Sequence, residues 1–345
     1  MNSILAIAAL GFLIVVHEGG HLIVARLCGM RVDRFSIGFG PGLLKHKSKK
    51  GTIYQLAPIP FGGFVEVAGM NIAEEVDPAD REAYPNRPAW QRFATIFAGP
   101  ATNFLSAIVL AFLLYSCHGM AGTTWHVGDL KPGYDAQTKL LAGDRILAVD
   151  GSALYAPSST ALSAAVNATK SPTVHLRVLR GGVGVVELDV RKKLDVDPKG
   201  APVFRIGVIN EVDVERVGPI GAAGAAIRYP VKQTKVILAG LRDIVLGLED
   251  ARPTGPVGIY EEFRKAFTAN WIYGVELMML LSVYLGLVNL FPLPALDGGR
   301  LVFLMYEMVT RRRANPKIET MVHMGGIMVL GVVMILVTLN DCHVL

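Results

Sequence analysis

His17-Glu18-Gly19-Gly20-His21 stands inside an apolar run that begins at Ile4 and resumes at Leu22 to Ala25. At 1.5 Å per residue such a run is long enough to cross a hydrocarbon core of about 30 Å. Two imidazoles and a carboxylate are costly at that depth, and ionisable side chains inside a span mark function by default. Positions i and i+4 share one helix face, so His17 and His21 are spaced to bind one zinc ion. Glu18 lies beside them, where it can handle a proton. Chance is the competing explanation of so short a pattern. The apolar setting disfavours it, because a structural histidine pair would still need buried polar partners.

Working outward, the chain reads as a membrane protein with a soluble part. Its 345 residues have a mean hydropathy of +0.42, too apolar for an ordinary soluble protein. The net charge of +5 is no nucleic-acid signature, because the basic residues cluster beside apolar runs as membrane flanks do. Cys28, Cys117 and Cys342 lack a C-x-x-C spacing and suggest neither a zinc knuckle nor a disulfide framework. Cys117 and Cys342 fall at the same expected membrane face, with little to argue for a bridge. Met1-Asn2-Ser3 carries no basic n-region and no A-x-A site follows the run, so a retained helix is expected.

Four spans are predicted, at about Ile4–Ala25, Phe93–Cys117, Val275–Leu296 and Met321–Leu339, the third continuing past a Pro/Gly break into Leu301–Val309. Lys and Arg concentrate between spans one and two (Arg26 to Arg92) and between three and four (Arg311, Arg312, Arg313, Lys317). Both loops are therefore expected in the cytoplasm, with both termini and the long segment between spans two and three outside. His17, some 20 Å along a helix from Ile4, then lies in the cytoplasmic half of the bilayer.

The first loop, from Phe35 through Pro60 and on into FGGFVEV, has hairpin chemistry, with Ile37-Gly38-Phe39-Gly40 and Gly62-Gly63-Phe64-Val65 as short strands. An unpaired edge beside the site can receive an extended substrate by strand addition; the alternative is an ordinary cytoplasmic hairpin. Residues 123–214 alternate short strands and turns. Val174–Leu179 and Val185–Val190 flank Gly181-Gly182 as a hairpin, and Ala161–Ala168 is a short helix. AGDRILAVDG at 142–151 resembles the PDZ signature, which implies peptide binding by β-augmentation. The usual Gly-Leu carboxylate loop is not evident, so a spacer that excludes bulky partners is the alternative. Within 215–270, Arg228, Lys232, Lys235 and Arg242 interrupt apolar residues at near-helical spacing, as in amphipathic helices on the outer membrane surface. A fifth span there would conflict with the basic-loop assignment.

Catalytic zinc takes three protein ligands and keeps one position open. The best third candidate is Asp297 in Asn289-Leu290-Phe291-Pro292-Leu293-Pro294-Ala295-Leu296-Asp297-Gly298-Gly299, where the prolines break the helix and the glycines permit a tight turn. A cap on the apolar run at Leu301–Val309 is the alternative role for Asp297.

HEGGH, FAGPATN at 97–103, GPVGI at 255–259 and NLFPLPALDGG at 289–299 together resemble the site-2 protease family, the M50-type intramembrane zinc metalloproteases, and within it the bacterial regulator-of-sigma-E protease branch. The resemblance implies zinc ligation by His17, His21 and Asp297 with Glu18 activating water. It implies substrate holding by Asn289, Pro292 and Pro294, to which the predicted strands add Gly38, Gly40 and Gly63. The implied activity is regulated intramembrane proteolysis of single-span proteins, such as anti-sigma factors or signal-peptide remnants, at the bacterial inner membrane. Some relatives carry two tandem PDZ domains, whereas this chain has room for one. The expected fold is a polytopic α-helical membrane protein: residues 1–117 hold two transmembrane helices and a membrane-associated β-hairpin region. Residues 123–214 form one extracytoplasmic β-rich PDZ-like domain, 215–270 form surface helices, and 271–345 hold two more transmembrane helices. Expected partners are the bilayer, single-span substrates and a peptide or protein at the PDZ-like domain, with no nucleic acid. Two rivals are a non-catalytic PDZ scaffold, against which the intact Glu18 argues, and a metal transporter, for which spans two and four offer few polar residues.

Overall fold

The computed structural model describes residues 2–71, 75–154, 159–196, 202–248, 250 and 253–341. The chain divides into two units, residues 1–114 with 220–345, and residues 115–219.

The first unit opens with helix α1 (Asn2–Leu27), followed by strands β1 (Val32–Phe39), β2 (Leu44–Lys47), β3 (Ile53–Leu56) and β4 (Ile59–Val67), then helix α2 (Ala89–Cys117). The two predicted short strands do pair, Ile37 opposite Gly63 and Phe35 opposite Val65. They do so within a four-stranded mixed sheet of order β2-β3-β1-β4 rather than a lone hairpin, with β3 running parallel to β1. The basic turn at Lys47–Gly51 folds β2 and β3 into their own antiparallel hairpin, which docks on β1. Val32, Phe35 and Val67 of the sheet bury against Leu22, Ala25 and Met30, which fixes the sheet on the C-terminal part of α1. β4 is left at an edge of the sheet.

The second unit comprises β5 (Met120–Leu130), α3 (Ala136–Lys139), β6 (Arg145–Val149), β7 (Ser152–Ala153), α4 (Ser159–Ala168), β8 (Thr173–Arg180), β9 (Gly184–Arg191), β10 (Lys193–Val196), β11 (Pro202–Arg205) and β12 (Val208–Glu215). Its main sheet has the order β7-β6-β8-β9, flanked by the pairs β12-β5 and β10-β11. Strand β8 shows the period of two that its sequence carries. Val174, Leu176 and Val178 are buried in the core, while His175 and Arg177 face out. Asp150 and Gly151 both adopt positive φ (47° and 80°), the two-residue turn that Asp-Gly favours between antiparallel strands. The unit starts before residue 123, because Met120 pairs with Glu215.

An ion pair between buried Asp144 and half-buried Arg180 secures this unit. Asp144 accepts from Arg180 Nε (2.9 Å) and Nη2 (2.6 Å) and from the Leu141 amide (2.8 Å). Burial pushes its carboxyl up, but Arg180 and that amide outweigh it and hold the carboxyl below the usual carboxylate range. A depressed folded-state pKa gives stability that is present above the unfolded value of about 4 and is lost as pH falls through the folded value. Asp144→Asn is expected to cost about 2 kcal/mol, a roughly 30-fold loss of amide-exchange protection in β6 and β8 at neutral pH. The difference from wild type should shrink in acid. Equal protection at neutral pH would show that the pair contributes nothing net.

After the second unit the first resumes with α5 (Pro219–Val245), α6 (Pro256–Ala269), α7 (Trp271–Leu290), α8 (Asp297–Thr310) and α9 (Pro316–Asp341). Among the described residues four helices are long and apolar enough to cross a membrane: α1, α2, α7 and α9 over 317–341. The third predicted span ends at Leu290 instead of 296, because Pro292 and Pro294 cannot continue the hydrogen-bond ladder. The segment past the break is the separate helix α8. Helix α6 is amphipathic but does more than coat a surface. Phe263 is fully buried in a cluster with Ala6, Ala9 and Leu13 of α1, while Glu261–Arg264 and Glu262–Lys265 pair on its exposed side. The Asp341 carboxylate accepts from the Gly255 (3.2 Å) and Gly258 (2.8 Å) amides, so the end of α9 satisfies the open N-terminus of α6. Cys342 lies outside the described residues, and Cys117 is exposed.

Candidate metal centre and active site

His17 and His21 project from one face of α1 and are 9% and 8% exposed. Their Nε2 atoms are 3.3 Å apart and lie 3.2 and 3.3 Å from Asp297 Oδ2. Among the described residues this is the one cluster of metal-ligating side chains. Contacts to the Nδ1 atoms set the imidazole tautomers. His21 Nδ1 is 2.8 Å from the Thr95 carbonyl, which can only accept, so the proton sits on Nδ1 and Nε2 carries a lone pair. His17 Nδ1 lies 3.0 Å from the Asn103 amide, whose Oδ1 is buried without a partner among the described residues. Turning that amide by half a turn lets Oδ1 accept from Nδ1, which again leaves a lone pair on Nε2.

With both imidazoles in that tautomer three lone-pair-bearing atoms converge, and Asp297 Oδ2 is buried with no hydrogen-bond partner among the described residues. Such a cluster is repulsive alone and is resolved by a cation. Ligand atoms at ~2.0–2.1 Å from zinc in tetrahedral geometry stand ~3.3 Å apart, which is the spacing seen here. The donor set fits zinc.

The surrounding sequence makes this approach feasible. A Cβ on Gly99 of α2 would lie 2.2 Å from His21 Nε2 and 2.8 Å from His17 Cε1, so only glycine leaves room for both rings. Asp297 is delivered by the break after α7. Ala295 sits at φ 76°, and a Cβ on Gly298 would lie 2.0 Å from the Phe291 carbonyl oxygen, so the chain doubles back tightly. Leu296, not Asp297, is the α8 N-cap, and no side chain caps that helix, so the carboxylate is free to face the imidazoles. Arg92 of α2 pairs with Glu307 of α8, which anchors the helix that Asp297 begins.

A cavity of about 320 Å³ opens onto the cluster, lined by His17, Glu18, His21, Asp297, Asn289 and Gly63 together with Phe64, Val65, Arg300 and His323. Glu18 abuts β4: a Cβ on Gly63 would stand 3.2 Å from Glu18 Cγ. The other expected substrate residues lie elsewhere. Pro292 is exposed, and Pro294 packs under Gly326 of α9. Gly38 and Gly40 sit at the far end of β1 against Ala57, Pro58 and Ile59 and do not line the cavity. Gly99, Asn103, Arg300 and His323 received no role from the sequence. For the first two the signal was present, a glycine and an asparagine four residues apart on one face of the second apolar run.

The family model for Peptidase family M50 matches residues 5–333. Relatives named "Putative zinc metalloprotease" include one from Fusobacterium nucleatum, 31% identical over 99% of this chain and 98% of its own length. Another, from Clostridium acetobutylicum, is 30% identical over 99% and 97%, and a third, from Brucella suis, is 32% identical over 86% and 83%. Among solved structures, the PDZ domain of an SdrC-like protein from Listeria innocua is similar to 28% of this chain over all of its own length (24% identity, TM-score 0.22). That of Listeria monocytogenes is similar to 26% of this chain over 90% of its own length (26% identity, TM-score 0.21). A family match over nearly the whole chain, joined to full-length relatives and a three-ligand cluster that fits zinc, makes the chain a zinc metalloprotease belonging to Peptidase family M50.

Proposed function

We propose that the protein hydrolyses peptide bonds within or near the transmembrane segments of single-span membrane proteins, in regulated intramembrane proteolysis. Anti-sigma-factor-like proteins and signal-peptide remnants are the substrate classes. The observation that carries this reading is the position of His17, Glu18 and His21 in the C-terminal half of an apolar helix of membrane-spanning length, facing a cavity edged by a strand.

His17, His21 and Asp297 would hold the zinc, which when bound polarises a scissile carbonyl and makes water a stronger acid. Glu18 takes a proton from the attacking water and passes it to the leaving amine. A helical substrate hides its carbonyls in its own hydrogen bonds, so it must unwind before attack. The β4 edge offers the unwound segment a strand to pair with, and Asn289 a polar side chain at the cavity wall. Lys and Arg in the loops after α1 and α8 favour a cytoplasmic site at a bacterial inner membrane, with the 115–219 unit outside as a PDZ-like module that receives a peptide or filters substrates.

The test is cleavage of a single-span model substrate by the purified full chain in liposomes. Cleavage inside the apolar segment, stopped by a zinc chelator and restored by zinc, is expected. Cysteines introduced near Lys49 and Arg312 should be labelled from the cytoplasmic side only. Cleavage confined to soluble unfolded protein would overturn the intramembrane reading, and labelling from outside would overturn the orientation.

A further inference from the structure

His323 of α9 is a buried polar side chain that the mechanism above leaves without work. It is 7% exposed and lines the same cavity as the metal cluster. The Ala295 amide stands 3.5 Å from its Nδ1. An amide can only donate, so Nδ1 holds a lone pair and the neutral ring carries its proton on Nε2. That Nε2 is buried and has no partner among the described residues. A buried donor aimed at no acceptor is uncommon and calls for an explanation.

Its location supplies one. A second cavity, about 470 Å³, shares with the first Phe64, Val65 and Val67 of β4, Arg300 of α8 and His323 of α9. His323 thus lines both spaces together with the edge strand β4. A peptide extended along β4 would turn alternate carbonyls toward that strand and the rest away from it. Carbonyls turned away from β4 gain no strand partner, and a donor on the cavity wall would satisfy and position one of them.

We propose that His323 donates its Nε2 proton to a backbone carbonyl of the extended substrate, on the side turned away from β4, and so fixes the register of the segment presented to the metal centre. The inference rests on the β4-docking reading given above. Its rival is purely structural: the Ala295 bond supports a residue at φ 76°, two positions before Asp297.

Two variants of the full-length, zinc-loaded protein separate these roles. In His323→Asn the side-chain oxygen can replace Nδ1 toward Ala295, but the Nε2 donor is lost. In His323→Gln the amide nitrogen reaches the Nε2 position, but the Nδ1 acceptor is lost. The expected result is that His323→Asn keeps one zinc per chain while kcat/KM on a single-span substrate falls on the order of 10- to 100-fold, chiefly through KM. His323→Gln should recover most of that loss. In a Glu18→Gln background, binding of a labelled peptide carrying the cleaved segment should weaken by a similar factor for His323→Asn and not for His323→Gln. The proposal is overturned if His323→Asn binds and cleaves like wild type, or if His323→Gln alone loses zinc and activity, the pattern of a turn support. Undiminished cleavage by Glu18→Gln itself would instead sink the proton-transfer mechanism, and the peptide-binding comparison would still decide the role of His323.

Discussion

Glu18→Gln is expected to lower peptide hydrolysis by a factor on the order of 10²–10⁴ while the protein still binds one zinc per chain. The two halves of that statement rest on different observations. Metal retention follows from the cluster itself, which is complete with His17, His21 and Asp297 and has no atom from Glu18 in it. Loss of turnover follows from chemistry. The amide has nearly the shape of the carboxylate, so Gly63 and the rest of the β4 contact are undisturbed, but it cannot accept the proton of the attacking water. Metal content of the purified variant and its cleavage of a single-span substrate are the two measurements. Turnover near the wild-type level would mean that another group moves the proton, and loss of zinc would make Glu18 part of the binding site.

What could be read from the sequence follows from how local each feature is. The i, i+4 histidines, the four apolar spans and the β8–β9 hairpin are set by spacing within one element, and the chain order alone exposes them. The β1–β3 parallel pairing depends on a hairpin folding back across another strand, which no local period encodes. The Asp297 carboxylate was legible as costly, yet its position at the start of α8 depends on how tightly residues 291–298 double back. Asn103, Gly99 and His323 reach the site only because α2 and α9 pack there. Gly99 is ordinary in a span; Asn103 and His323 are polar residues in apolar runs and so carry a signal, but only tertiary approach shows which site they serve. The same holds for α6, whose amphipathic pattern suits a membrane surface and the α1 groove equally well.

Gly99→Ala should weaken zinc binding by on the order of 100-fold or more, although it adds a single methyl group. The added carbon would lie 2.2 Å from His21 Nε2, 2.5 Å from its Cε1 and 2.8 Å from His17 Cε1, each well inside van der Waals contact. Separating the two helices would relieve the clash, but α1 and α2 are locked at this level. The Thr102 hydroxyl donates to the Val16 carbonyl (2.9 Å), and Gly20 lies so close to α2 that its own Cβ would stand 2.5 Å from the Ala98 oxygen. Swinging the His21 ring away is the remaining escape, and it breaks the 2.8 Å bond to the Thr95 carbonyl that sets the tautomer. Disturbing the outer shell alone costs metal sites about 10- to 100-fold in affinity, and here a ligand is displaced as well, so the loss should reach at least the upper end. Gly19→Ala is the control, because a Cβ at position 19 meets nothing within 4 Å and should leave zinc in place. Zinc titration of both variants against wild type decides the matter: equal affinity in Gly99→Ala would mean that α1 and α2 can part at their closest contact without disturbing the site.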